Sequence, residues 1–215
     1  MGIDDVDRLR ATRAFFAGRA AGWDHKFGDD MPAYAAAVAE AGISRPAVVL
    51  DIGCGTGRAL PALRSAAGPD GTVLAIDATP EMLAAATERG RACGAALIVG
   101  DALHLPLADR SVQAVFAAGL LMHLPDPVEA LAELARVTAD AGRLILFHPS
   151  GRAALATRKG YQLRDDDTLA HDVLVGLLSR TGWRLNRYDD AAHRFFALAD
   201  RGPADRGPAH RVRNG

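Results

Sequence analysis

The chain reads as an α/β protein: a doubly wound, mostly parallel seven-stranded sheet with helices on both faces and an antiparallel C-terminal hairpin. Three observations predict it. Short apolar or β-branched runs, including Val48–Leu50, Val73–Ile76, Val112–Ala118 and Leu144–Phe147, alternate with helix-period segments, as parallel strands buried on both faces do. The first run breaks at Gly53, Gly55 and Gly57 and resumes as a helix with Leu60 and Leu63 facing inward, the first half of a βαβ unit. The last two runs, Trp183–Tyr188 and His193–Ala199, are separated by Asp189-Asp190 and form a hairpin.

Composition narrows the function classes. At 215 residues, 49% hydrophobic and 24% charged, one soluble α/β domain is expected. A net charge of −1 argues against a nucleic-acid backbone as the main partner. No apolar run approaches the roughly 20 residues of a membrane span, and the acidic start Met1-Gly2-Ile3-Asp4-Asp5 is not a signal peptide. A cytoplasmic protein without a membrane partner is expected. Cys54 and Cys93 form no C-x-x-C pair, so no metal is expected, and Cys54 reads as a small filler within the glycine turn.

In chain order, residues 4–22 carry an amphipathic stripe (Val6, Leu9, Phe16, Ala20, Trp23), and a second helix runs from about Pro32 to Glu40. The glycine strand ends in Asp51. The second strand, Gly71–Asp77, also ends in a carboxylate, 20 residues past Gly57 and back at the same sheet edge. Parallel strands present ligands at their carboxyl ends. Asp77 there either accepts the two hydroxyls of a ribose or is a surface acid. Thr79-Pro80 opens a helix through about Ala92, with Met82 placed to pack on a flat ring or to fill a gap. The third strand, Ala95–Gly100, leads into Asp101-Ala102-Leu103, while His104 reads as a loop residue. After the fourth strand, Asp126 and Pro127 start a helix with Glu129 completing a capping box. On that helix Val128, Leu131, Leu134 and Ala135 are the expected buried face, and Glu129, Glu133 and Arg136 a solvated one. Strand five is Arg143–Phe147. Residues 152–168 read as irregular, with Asp165-Asp166-Asp167 beginning the helix that Gly182 stops.

Glycine spacing restricts the ligand. A dinucleotide turn needs G-x-G-x-x-G, but its third glycine would fall at Arg58 or Leu60. A P-loop needs a lysine after its last glycine, and the lysines here are Lys26 and Lys159. What stands is D-x-G-x-G-x-G from Asp51 to Gly57. With Gly100-Asp101-Ala102 and the His123-Leu124-Pro125-Asp126 turn, it resembles the class I S-adenosylmethionine-dependent methyltransferases of the small-molecule type, over about residues 15–199. One departure is Asp140-Ala141-Gly142, where that family usually carries Pro-Gly-Gly.

The resemblance implies a Rossmann-like fold, S-adenosylmethionine as cofactor and a small organic acceptor methylated at oxygen, nitrogen or carbon. It divides the chain into an N-terminal lid segment (1–42) and the cofactor-binding domain (43–200), while the tail (201–215), which lacks apolar periodicity, is expected to be disordered. Asp51, Gly53, Cys54, Gly55, Gly57, Asp77, Ala78, Met82, Asp101, Ala102, Leu103 and Ala118 are the implied cofactor residues. The acceptor is expected against Trp23, Tyr34, Leu121, Met122 and Arg152, with His148 and His123 as candidate bases. His123 has a turn-residue alternative, and Arg152 either binds a substrate carboxylate or lies on the surface. Phe15, Phe16 and Trp23 either close over the cofactor or simply cover the sheet. The fold also admits a cofactor-assisted cyclisation or a non-catalytic interaction module. Oligomeric state is left open by the sequence.

Overall fold

A computed structural model describes residues 3–202. Three helices, α1 (Ile3–Ala17), α2 (Trp23–Phe27) and α3 (Met31–Glu40), precede the sheet. Then follow β1 (Val48–Ile52), α4 (Leu60–Ala67), β2 (Thr72–Asp77), α5 (Pro80–Glu88), β3 (Ala96–Val99) and β4 (Val112–Ala118). A 3-10 turn (Leu121–His123) leads into α6 (Pro127–Val137), β5 (Thr138–His148), α7 (Arg152–Lys159), α8 (His171–Arg180), β6 (Trp183–Ala191) and β7 (Arg194–Arg201). The seven strands are ordered β3-β2-β1-β4-β5-β7-β6. The first five pair in parallel, whereas β7 runs antiparallel to both β5 and β6. The strand order reverses between β1 and β4, which opens a crevice beyond their carboxyl ends.

Period-two alternation distributes the strand side chains between two cores. Leu50, Ile52, Val115, Ala117, Leu144 and Leu146 pack with Leu131, Leu134, Leu174 and Trp183 from the α6 and α8 side. Val49, Ala114, Phe116, Ile145 and Phe147 pack with Val38, Leu60 and Leu63 from the α3 and α4 side. The Trp183 indole donates to the Leu131 carbonyl at 2.9 Å, joining the hairpin to α6. Sequence expectation and structure agree on the existence and order of all seven strands, but β5 starts at Thr138 where Arg143 was expected.

The helical segments need correction. α1 ends at Ala17 and α2 is an additional helix. α5 ends at Glu88, before Ala92, and Thr79 makes no side-chain cap. Asp126 does cap α6, accepting from the amides of Val128 and Glu129 at 2.8 and 2.9 Å. Val128 is exposed, so the buried face of α6 is instead Ala130, Leu131, Leu134, Ala135 and Val137.

Glu133 and Arg136 are not a solvated face. Glu133 accepts from the Leu105 amide, and Arg136 donates to the Leu105 and Leu107 carbonyls and pairs with Asp109. Together they clamp the loop from β3 to β4 by meeting the backbone groups of Leu105 and Leu107. Residues 152–159 form α7, where irregular chain was expected. Asp165–Asp167 lie in a turn before α8, with Asp166 paired to Arg164. Asp140-Ala141-Gly142 sits inside β5, far from its carboxyl end. Ala141 there adopts φ +59°, the left-handed conformation that glycine takes more readily. The expected disordered tail lies almost wholly outside the described residues.

Two glycines give opposite expectations for stability. A Cβ at Gly71 would lie 2.2 Å from the Ala67 carbonyl oxygen and 2.6 Å from that of Ala47, both rigid backbone. Gly176, inside α8, has open space around it. Gly71→Ala should therefore destabilise the fold by about 1–3 kcal/mol, and Gly176→Ala should stabilise it by about 0.5–1 kcal/mol. Urea denaturation of both variants beside the wild type checks the pair of signs.

Candidate active site

The carboxyl ends of β1 to β4 open into a cavity of about 210 Å³. Its floor is the glycine turn. Gly53, Gly55 and Gly57 adopt φ of +68°, +54° and +78°, all in the left-handed region that disfavours side chains. Gly53 also allows a close approach, since a Cβ there would meet Leu120 of the β4 loop at 2.9 Å. The Gly53 and Cys54 amides donate to the Ile76 carbonyl, which holds the turn against β2.

Asp77 joins that turn to the next one. Its two carboxylate oxygens accept from the Gly55 amide and the Thr79 amide, each at 2.8 Å. The Thr79 hydroxyl also bonds this carboxylate, and with two amides and one hydroxyl met, its oxygens still have accepting capacity for a ligand. Burial nevertheless pushes its carboxyl up, against the opposing effect of those amides and of the Thr79 side chain. Asp51 is 2% exposed, and its Oδ2 has no hydrogen-bond partner. Desolvation, with the nearby Asp77 charge, pushes its carboxyl up to about 8. Asp101 accepts from the Leu103 amide at 3.1 Å. Asp51, Asp77 and Asp101 thus stand in a row at the ends of β1, β2 and β3, and all three line the cavity.

Cys54, Ala78, Met82, Ala102, Leu103 and Ala118 also line it, as do Gly53 and Gly55. Met82 is 2% exposed in the first turn of α5. Burial and the Asp51 and Asp77 charges push the Cys54 thiol up, which keeps it protonated. Gly57 does not line the cavity. A Cβ there would press on Ala86, Leu60 and Arg91 at 3.1–3.2 Å, so this glycine serves helix packing instead.

The N-terminal helices roof the cavity with Leu9, Thr12, Phe16, Trp23, Asp30 and Tyr34. Phe16 packs at a tilt against Trp23 at 5.5 Å and meets His123 edge-on at 5.2 Å, so the roof touches the β4 loop. Tyr34 lies edge-on to Phe147 at 5.0 Å. The roof is held down by Asp24, which accepts from Thr56 of the glycine turn at 2.8 Å and pairs with Arg58, Arg89 and Arg91. Burial alone would raise its carboxyl, but the Thr56 and Arg91 bonds and the Arg58 charge outweigh it, leaving the group below the usual range. Arg58, 6% exposed, also pairs with Asp30.

The far end of the cavity is built by Met122, His123, His148, Leu155, Arg158 and Lys159. His148 Nδ1 lies 2.9 Å from the Ser150 carbonyl oxygen, and desolvation lowers its pKa. Desolvation, then the Lys159 charge, lowers that of His123. Two expected acceptor residues are not there. Leu121 is 4% exposed in the core under α6. Arg152 faces away from the cavity lining, its guanidinium taken by Asp167 and Asp190 at 3.3 and 3.6 Å. Thr56, Arg58, Leu155, Arg158 and Lys159 escaped sequence reasoning. For Thr56 and Arg58 the available signal was their position within the glycine motif itself.

Residues 50–146 match a family model described as a methyltransferase domain. A demethylmenaquinone methyltransferase of Bacillus cytotoxicus is 33% identical over 117 residues, which is 53% of this chain and 49% of that protein. The chain spans about half or less of the length of the curated relatives it matches. Among solved structures, a SAM-dependent methyltransferase from Aquifex aeolicus superposes with a TM-score of 0.68 at 23% identity, covering 86% of this chain and 98% of that one. Magnesium protoporphyrin IX methyltransferase from Synechocystis, solved with bound SAM, gives 0.67 at 17% identity, with 91% and 97% covered. Residues 50–146 thus match the methyltransferase-domain family model, and the sheet has the Rossmann-like fold of these solved methyltransferase structures.

The raised Asp51 carboxyl sets a pH dependence. From the unfolded value near 4 up to about 8, the native state holds a proton that the unfolded chain has lost. Its contribution to stability is complete below that window and is lost as pH rises through it. Asp51→Asn removes the contribution, so the ligand-free variant should gain on the wild type steadily from pH 4 to pH 8. Thermal unfolding of both proteins at unit pH steps measures the difference.

Proposed function

We propose that this chain transfers the methyl group of S-adenosylmethionine to a small organic acceptor. The observation that carries it is the buried, partnerless Asp51 carboxylate oxygen beside left-handed glycines, in one cavity with Asp77 and Asp101. An uncompensated buried acceptor of this kind costs stability until a donor meets it. The ammonium of an amino-acid tail is such a donor, and the exposed backbone of the glycine turn suits the same tail. The spare lone pairs of Asp77 suit ribose hydroxyls, those of Asp101 an exocyclic adenine amine, and Met82 offers a soft surface for the adenine ring. The donor set thus fits the cofactor. The methyltransferase domain match and the similarity to a demethylmenaquinone methyltransferase support the same reading.

When bound, S-adenosylmethionine supplies an electrophilic methyl group on a sulfonium, so the protein need chiefly provide position and dryness. Phe16 and Trp23 of the roof exclude water. His148 Nδ1 faces both the Ser150 carbonyl at 2.9 Å and the Ser150 amide at 3.1 Å; the tautomer that donates to the carbonyl leaves Nε2 as the proton acceptor, and the lowered pKa keeps the ring neutral near pH 7. His123 is the second candidate for that role.

Calorimetry should show S-adenosylmethionine and S-adenosylhomocysteine binding to the purified chain. Mass spectrometry of an acceptor screen should find a product heavier by one methylene unit. A product of unchanged mass would favour cyclisation, and absence of cofactor binding would overturn the proposal.

Because an ammonium opposite Asp51 favours its charged form, cofactor binding near pH 7 should release a proton. Calorimetry in two buffers of different ionisation enthalpy reads that release, which Asp51→Asn should abolish. His148→Ala should lower turnover while sparing cofactor affinity; unchanged turnover would remove the residue as a base.

A further inference from the structure

We propose that the acceptor is an organic anion, a small aromatic or apolar carboxylate whose charged group is held by Arg158, with Lys159 beside it. The proposal deepens, and rests on, methyl transfer to a small acceptor as set out above.

Charge is segregated along the cavity. Among the described lining residues the carboxylates are Asp30, Asp51, Asp77 and Asp101. Asp30 is paired with Arg58, and the other three stand in the row at the ends of β1, β2 and β3. The opposite end is cationic or neutral, with Arg158, Lys159, His123 and His148. Arg158 and Lys159 lie near enough to His148 for both charges to oppose its protonation. A cationic acceptor would meet like charge there. An anionic one meets a guanidinium fork, whose planar donors match a carboxylate in two parallel hydrogen bonds.

The fork is carried on a fixed element. α7 enters through Gly151, where a Cβ would lie 2.0 Å from the Ala191 carbonyl oxygen of the hairpin. The Arg152 amide donates to Asp190 at 2.7 Å, and its guanidinium is held by Asp167 and Asp190. Leu155 and Ala156 are buried, and Gly160 ends the helix in the left-handed conformation. Arg158 itself donates to the Ser150 hydroxyl at 3.3 Å, a neutral bond that leaves its charge uncompensated by that partner. The remaining walls, Phe16, Trp23, Tyr34, Met122 and Leu155, suit a flat apolar body. The arginine expected from sequence to bind a carboxylate was Arg152. That residue anchors the helix, and Arg158, on its last turn, reaches the cavity.

The test titrates benzoate, 4-hydroxybenzoate and indole-3-acetate, each beside its carboxamide, into protein saturated with S-adenosylhomocysteine. Isothermal calorimetry is the readout, since indole-3-acetate carries the same fluorophore as Trp23 and Trp183. At least one carboxylate should bind about tenfold tighter than its carboxamide, the size of a charge-assisted pair. Arg158→Gln should erase that preference while S-adenosylhomocysteine still binds, which shows the variant is folded. Equal binding of acids and amides, no binding by any member, or a preference that survives Arg158→Gln would each overturn the proposal. If S-adenosylhomocysteine itself fails to bind, the methyl-transfer reading falls. The same titrations on ligand-free protein then judge the anion preference alone.

Discussion

One carboxylate accepting two backbone amides sets the geometry of this molecule's working edge. Asp77 bonds the Gly55 amide on one side and the Thr79 amide on the other. It thereby fixes the turn after β1 relative to the turn after β2. Neither turn has strand partners for those amides, and an unmet buried donor costs roughly 1–3 kcal/mol. The brace has an electrostatic consequence, because it holds a carboxylate near Asp51, which is wholly buried without a partner for Oδ2. Asp51 answers by keeping its proton up to about pH 8. The site is therefore built under tension that a cationic group would relieve, at the same spot where positive φ keeps side chains off the backbone.

A second ionic arrangement ties the N-terminal helices to that edge. Asp24 reaches Thr56, inside the glycine turn, and three arginines from the α4 and α5 ends. Thr56 and Arg58 are almost fully buried beneath it. The segment before the sheet is thus fastened to the floor of the cavity as well as resting on the sheet. Phe16, pressed between Trp23 and His123, carries the contact across to the β4 loop. Roof and floor share partners, so ordering one orders the other.

The parts legible from sequence were those with short-range causes. Apolar or β-branched runs placed the central strands because a strand between two cores must be apolar on both sides, and the break at Asp189-Asp190 placed the hairpin. Asp126 before Pro127 marked the start of α6 because a cap needs its oxygen two and three residues from the amides it accepts. Asp51, Asp77 and Asp101 could be aligned because each lies at or just past the carboxyl end of a strand, and parallel strands end at one edge. The glycine turn was equally visible, apart from the division of labour in which Gly53 and Gly55 face the cavity and Gly57 spaces two helices.

Tertiary structure alone decided what depends on residues distant in the chain. Glu133 and Arg136 look like a solvated face until the loop from β3 to β4 folds over them and offers its backbone. Leu121 and Arg152 lie at plausible positions in sequence, yet one turns into the core and the other is captured by Asp167 and Asp190. α7 is polar enough to read as loop; only its docking against the hairpin makes it a helix that presents Leu155, Arg158 and Lys159. Sequence by itself determined the sheet, the glycine turn and the acid row, because periodicity and strand-end position are local properties. Which side chains face the opposite end of the cavity was decided by long-range packing, since a helical residue shifted by one position points about 100° away.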